Sequence, residues 1–111
     1  MVSLNHSVYN LIIHILGGEK MNKRQKAVFN LIDETYKDPK IKQNTEISKL
    51  LLTYATELEN NVEVKLVCVK LNREITLYLN THQYVAPQAL TTLYQEIASL
   101  AESYWGRAYL F

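Results

Sequence analysis

Apolar residues recur every three or four positions along most of this chain. Val28, Leu31, Ile32 and the Thr35-Tyr36 pair share one face of a helix. Asn22 stands just before them as an N-cap, able to accept a hydrogen bond from a free amide of the first turn. Lys37-Asp38-Pro39 ends the run, because proline disfavours the helical state at Asp38 and has no N–H to continue the ladder. Asp38-Pro39 is also a start signal, with proline at the first helical position. Asn44 or Thr45 offers a second cap, and Glu46 lies where a negative charge suits the helix dipole. Ile47, Leu50, Leu51, Tyr54 and Leu58 then form the stripe of a second helix, which stops at Asn60-Asn61.

Residues 62–79 fit two periods. On a helix, Val64, Val67, Cys68, Leu71, Ile75 and Tyr78 share a face. As strands, Val62, Val64, Leu66 and Cys68 alternate with polar Glu63 and Lys65, and after a slip Val69, Leu71, Ile75, Leu77 and Leu79 alternate again. The β-branched content supports strands locally. Asn72-Arg73 is a poor hairpin turn, and one helix matches the length of its neighbours, so the helix is the expectation carried forward. This helix also carries Val62, Leu66, Val69 and Leu77 on nearly its opposite side, with Arg73 among them. A helix apolar on two sides calls for two neighbours.

His82 to Ala86 read as a loop, closed by Pro87 in the first turn of a last helix. Leu90, Leu93, Tyr94, Ile97, Leu100-Ala101 and Tyr104 make its inner stripe, and Gly106 is placed to end it. Four amphipathic segments with short connections predict an all-α chain, an antiparallel four-helix bundle. The tail Arg107-Ala108-Tyr109-Leu110-Phe111 is apolar where a terminus is usually polar and frayed. It is expected to pack on the bundle, possible cover for the outer Leu66, Val69 and Leu77, and to present a contact surface. Arg73, Tyr104, Trp105, Arg107, Tyr109, Leu110 and Phe111 are therefore the candidate partner-binding residues.

Composition narrows the function. The 111 residues suit one domain. Twelve basic against 11 acidic residues leave a net charge of +1, with no basic run, so nothing points to nucleic acid. The single cysteine, Cys68, allows no internal disulfide and suits a reducing compartment. It falls on an apolar face and reads as a small buried hydrophobe.

Residues 1–20 read differently from the rest. The apolar run Leu11 to Leu16 is far short of the roughly 20 residues that span a bilayer, and it lacks the flanks of a secretory signal. Gly17-Gly18-Glu19-Lys20-Met21 can be encoded by a GGAGG ribosome-binding sequence, a purine spacer and a start codon. The expectation is an N-terminal extension over 1–20, a translated leader, followed by a bundle domain over 21–111.

Candidate chemistry is sparse. His6 and His14 fall in the extension, and His82 stands alone in a loop without a second metal ligand at a known spacing. Asp33-Glu34, Glu57 and Glu59 read as solvated helix faces. No catalytic, metal or cofactor set is expected. Tyr36, Tyr54, Tyr78 and Tyr94 lie on or beside apolar stripes, rings inward and hydroxyls toward water or a partner.

Three stretches together resemble a known family. They are Ala27-Val28-Phe29-Asn30-Leu31-Ile32-Asp33-Glu34-Thr35-Tyr36-Lys37-Asp38-Pro39, Asn72-Arg73-Glu74-Ile75-Thr76-Leu77-Tyr78-Leu79, and Tyr84-Val85-Ala86-Pro87-Gln88-Ala89-Leu90-Thr91-Thr92-Leu93-Tyr94. In this order, and with the aromatic terminus, they resemble the enterocin A-type immunity proteins of class IIa (pediocin-like) bacteriocin producers, nearest to their carnobacteriocin immunity branch. The resemblance covers about residues 22–111. The N-terminal extension and the Tyr104-Trp105 pair before Gly106 depart from it, and the second leaves the specificity class open.

The resemblance implies a four-helix bundle without cofactor. It implies a cytoplasmic location with a minor membrane-associated fraction, and protection of the producer from its own bacteriocin. It implies as partners the membrane components of the mannose phosphotransferase system with bound bacteriocin, and specificity in the C-terminal half. Two other classes compete. A small helical enzyme of the chorismate mutase type needs one very long first helix, which Pro39 interrupts. A helical phosphotransferase-system carrier needs His82 presented for phosphorylation.

Overall fold

The computed structural model describes residues 21–106, and all regular structure among them is helical. Helix α1 runs Lys23–Tyr36 and begins at a reciprocal cap. Asn22 Oδ1 accepts from the Gln25 amide at 2.8 Å, and Gln25 Oε1 accepts from the Asn22 amide at 2.8 Å. Two of the amides that every helix start leaves unsatisfied are thereby satisfied.

Both start signals after the first helix are used, so the second predicted helix is split in two. Asp38 caps a single turn, α2 (Pro39–Lys42), by accepting from the Lys40 amide at 2.8 Å. Asn44, rather than Thr45, caps α3 (Thr45–Glu59) by accepting from the Ile47 amide at 2.9 Å. Ser48 Oγ donates to Ile41 O at 2.7 Å and holds the turn against α3. Asn61 ends α3 in the left-handed region at φ 63°, a conformation asparagine tolerates better than most residues.

The ambiguous stretch is one helix, α4 (Val64–Thr81), of 18 residues. Its helical stripe won over the local strand pattern because every member of that stripe reaches the core: Val64, Val67, Cys68, Leu71, Ile75 and Tyr78 are all buried. Helix α5 (Gln88–Trp105) starts one residue after Pro87, which is the cap rather than a member of the first turn. Gly106 ends it with φ 90°, where a side chain would be strained, and its amide donates to Glu102 O at 2.9 Å.

The four long helices form an antiparallel bundle. Helices α1 and α4 lie across a diagonal, and each packs against both α3 and α5. Ile32, Ile47, Leu51, Leu58, Leu71, Ile75, Leu90, Leu93 and Ile97 fill the centre and are fully buried or nearly so. Burying each such side chain is worth about 1.5–3 kcal/mol. Of the four tyrosines expected beside the core, Tyr54 and Tyr78 are buried, while Tyr36 and Tyr94 are half-buried against it. Tyr78 keeps its hydroxyl satisfied by accepting from Asn44 Nδ2 at 3.0 Å.

Candidate interaction surface

Arg73, the one candidate from the middle of the chain, lies exposed on the outer side of α4. Its helical neighbours on that side are Leu66, Val69 and Leu77, which are 47%, 38% and 52% exposed. Val62 does not join them; it is half-buried and packs on the core just before α4 begins. A groove of about 350 Å³ runs along this side, lined by Cys68, Val69, Asn72, Arg73, Thr76, Leu77 and Tyr94, between α4 and α5. Asn72 is 8% exposed, donates from Nδ2 to Tyr94 O at 3.3 Å, and leaves its Oδ1 without a donor.

Tyr104 and Trp105 occupy the far end of α5. Their rings meet edge to face, 5.2 Å between centroids. Antiparallel packing brings the start of α1 to the same end, and the Arg24 guanidinium sits 4.4 Å above the Tyr104 ring and 5.7 Å from the Trp105 ring. Sequence reasoning missed Arg24, because its partners lie some eighty positions away and only the helix directions join them. It also reversed the aromatic pair: Trp105 packs on the core, and Tyr104 turns toward Arg24.

Arg73 and this aromatic end do not form one cluster. Trp105 is level with the first turn of α4, and Arg73 lies nine residues further on, about 13 Å along the axis. Arg107, Tyr109, Leu110 and Phe111, and the proposed leader over 1–20, lie outside the described residues.

His82 is not a lone loop residue. It follows the last turn of α4, with its ring stacked on Tyr78 at 3.8 Å between centroids. Nδ1 is 2.9 Å from Tyr78 O, and Nε2 is 3.5 Å from Glu46 Oε1. With the proton on Nδ1 the ring donates to that carbonyl, and the other nitrogen faces a carboxylate. Nδ1 is thus engaged by that carbonyl, and the carboxylate beside Nε2 would repel a phosphoryl group. The loop that follows holds Gln83 and Tyr84 at φ 55° and 64°, and leaves Tyr84 and Val85 exposed.

The carboxylates are not all solvated. Glu57 is half-buried and pairs with Lys70 across α3 and α4, Oε1 to Nζ 3.0 Å. The Lys70 ammonium also lies 5.7 Å from the Tyr54 ring, whose hydroxyl is pushed above its usual pKa by burial first and by nearby Glu74 second. Among the described residues no three His, Cys, Asp or Glu side chains gather to hold a metal ion. Helix α1 has 14 residues, too short for the long catalytic helix of the mutase alternative.

The geometry therefore offers surfaces for binding: an apolar stripe with one cation on α4, and an aromatic-cationic end. The model of the bacteriocin immunity protein family matches residues 22–102, which is α1 through most of α5. A protein of Carnobacterium maltaromaticum named for immunity to carnobacteriocin B2 is 28% identical over 81 residues, covering 69% of this chain and 72% of its own length. No solved structure matches.

Proposed function

The chain belongs to the bacteriocin immunity protein family, and on that premise we propose that it protects its producer from a class IIa bacteriocin. In this reading it acts by binding, without catalysis. It engages the membrane components of the mannose phosphotransferase system once bacteriocin is bound to them, from the cytoplasmic side. The observation that carries the reading is the family match over residues 22–102, because it spans all four long helices rather than one motif.

Two features of the fold agree with this reading. No helix among the described residues is long and apolar enough to cross a membrane. The cluster of Arg24, Tyr104 and Trp105 is of the kind that carries binding energy at interfaces. The carnobacteriocin-B2 name of the relative makes bacteriocins of that kind the first to try.

The test is a challenge of a sensitive strain expressing the full chain with a panel of class IIa bacteriocins. Survival against one or a few members is expected. Equal killing by every member, with the protein present and folded in the cells, would overturn the proposal.

A further inference from the structure

Helix α4 presents two apolar stripes on opposite sides. The inner one, through Leu71 and Ile75, is covered by the bundle. The outer one, Leu66, Val69, Arg73 and Leu77, is spaced three and four residues apart, as in the seam of a helix that has a partner. Nothing among the described residues covers it, and Leu77 is more than half exposed.

We propose that this outer stripe of α4, with the groove beside it, is a docking site for an amphipathic helix of another protein. That helix carries an acidic residue within its own apolar stripe. The inference does not depend on the immunity reading, since it follows from shape and charge alone.

Three observations select this occupant. First, the Arg73 guanidinium is set among these apolar side chains, while Lys70 at the edge of the stripe is paired with Glu57. A single charge there fixes the register of a partner helix by demanding a carboxylate opposite it. Second, the stripe of a second copy (Leu66, Val69, Arg73 and Leu77) holds no carboxylate. An antiparallel pairing that sets Leu66 against Leu77 of the other copy brings each Arg73 beside the other's Lys70, cation against cation. Third, the surface is concave. The α4–α5 groove of about 350 Å³ suits projecting side chains, whereas a flat bilayer surface would leave it unfilled and would press Arg73 into the apolar layer.

On the α5 side, Tyr94 lines the same groove, and Trp105 lies on the same row of that helix three turns on.

The test uses the full chain and a fluorescein-labelled synthetic peptide of about 20 residues, long enough for more than five helical turns. The peptide has a leucine stripe with one central glutamate and acidic flanks. Anisotropy should show saturable binding, weakened on the order of tenfold or more by Arg73→Glu. A second peptide with lysine in place of the central glutamate should bind the native chain poorly and regain affinity for Arg73→Glu. Leu77→Ser should weaken both pairs, and circular dichroism should show both variants folded, since both positions are exposed.

The proposal is overturned by peptides that fail to bind, or that bind without the charge exchange. Binding of phosphatidylglycerol vesicles through this stripe, with no binding of the acidic peptide, overturns it as well. So does a dimer in sedimentation that Leu77→Ser dissolves. Finally, a Leu77→Cys full chain that resists maleimide, as the buried Cys68 does, would mean the chain covers the stripe itself.

Discussion

The two sides of α4 are made of similar residues and behave differently. Leu71 and Ile75 on one side are fully buried, while Leu66 and Leu77 on the other are about half exposed. Hydrophobic content alone does not separate them. What separates them is whether neighbouring helices α3 and α5 close over the side, and they close over only one. One side therefore contributes to folding, and the other remains available for contact. A helix that only had to fold would need one apolar stripe.

The inner side gives the largest expected effect. Leu71→Ala should destabilise the chain by about 2–5 kcal/mol, because the bundle cannot collapse fully around the lost volume. Thermal unfolding followed by circular dichroism should show a midpoint lower by roughly 4–8 °C for each kcal/mol. A midpoint that hardly moves would place Leu71 outside the core and erase the contrast between the two sides.

Next comes the polar tie at the lower end of the inner side. Asn44 caps α3 and also donates to the buried Tyr78 hydroxyl of α4. Asn44→Ala should lose about 1 kcal/mol for the cap and more for the hydroxyl left without its donor. Tyr78→Phe keeps the cap and loses the hydrogen bond, so its cost should be smaller than that of Asn44→Ala. A Tyr78→Phe chain as stable as the native one would mean that the hydrogen bond contributes nothing.

The outer side should give a small change in stability and a large change in function. Leu77→Ser should alter unfolding by no more than about 0.5 kcal/mol, as surface changes usually do. Protection in cells should nevertheless fall. Full protection by this variant would show that the outer stripe plays no part in immunity, even if it binds peptides.

The smallest effect is expected from residues 1–20. Helix α1 starts at Lys23 and carries its own cap at Asn22. A chain starting at Met21 should unfold at nearly the same temperature as the full chain. A fall of many degrees would show that the preceding segment packs as structure.

The same two-sidedness explains what the sequence concealed. Stripes on opposite sides of a helix leave short windows in which apolar and polar residues alternate, so Val62, Val64, Leu66 and Cys68 imitate a strand. Helices α1 and α5 each have one dominant stripe and clear end signals, so their pattern was legible. The division of the second helix was half legible: Asp38-Pro39 and Asn44 are both caps, and local pattern does not say that both act. Tyr104 and Trp105 could be singled out as unusual. Arg24 could not, because its place over Tyr104 depends on antiparallel packing of the first and last helices. The unpaired Oδ1 of Asn72 was likewise out of reach, since it lies at a contact between two helices.

The account stands most directly on one measurement: the concentration of class IIa bacteriocin needed to kill a sensitive strain, with and without the full chain expressed. The account predicts that this concentration rises for at least one bacteriocin and falls back when Leu77→Ser replaces the native chain. An unchanged killing concentration across the whole panel, in cells shown to contain the folded protein, would contradict it.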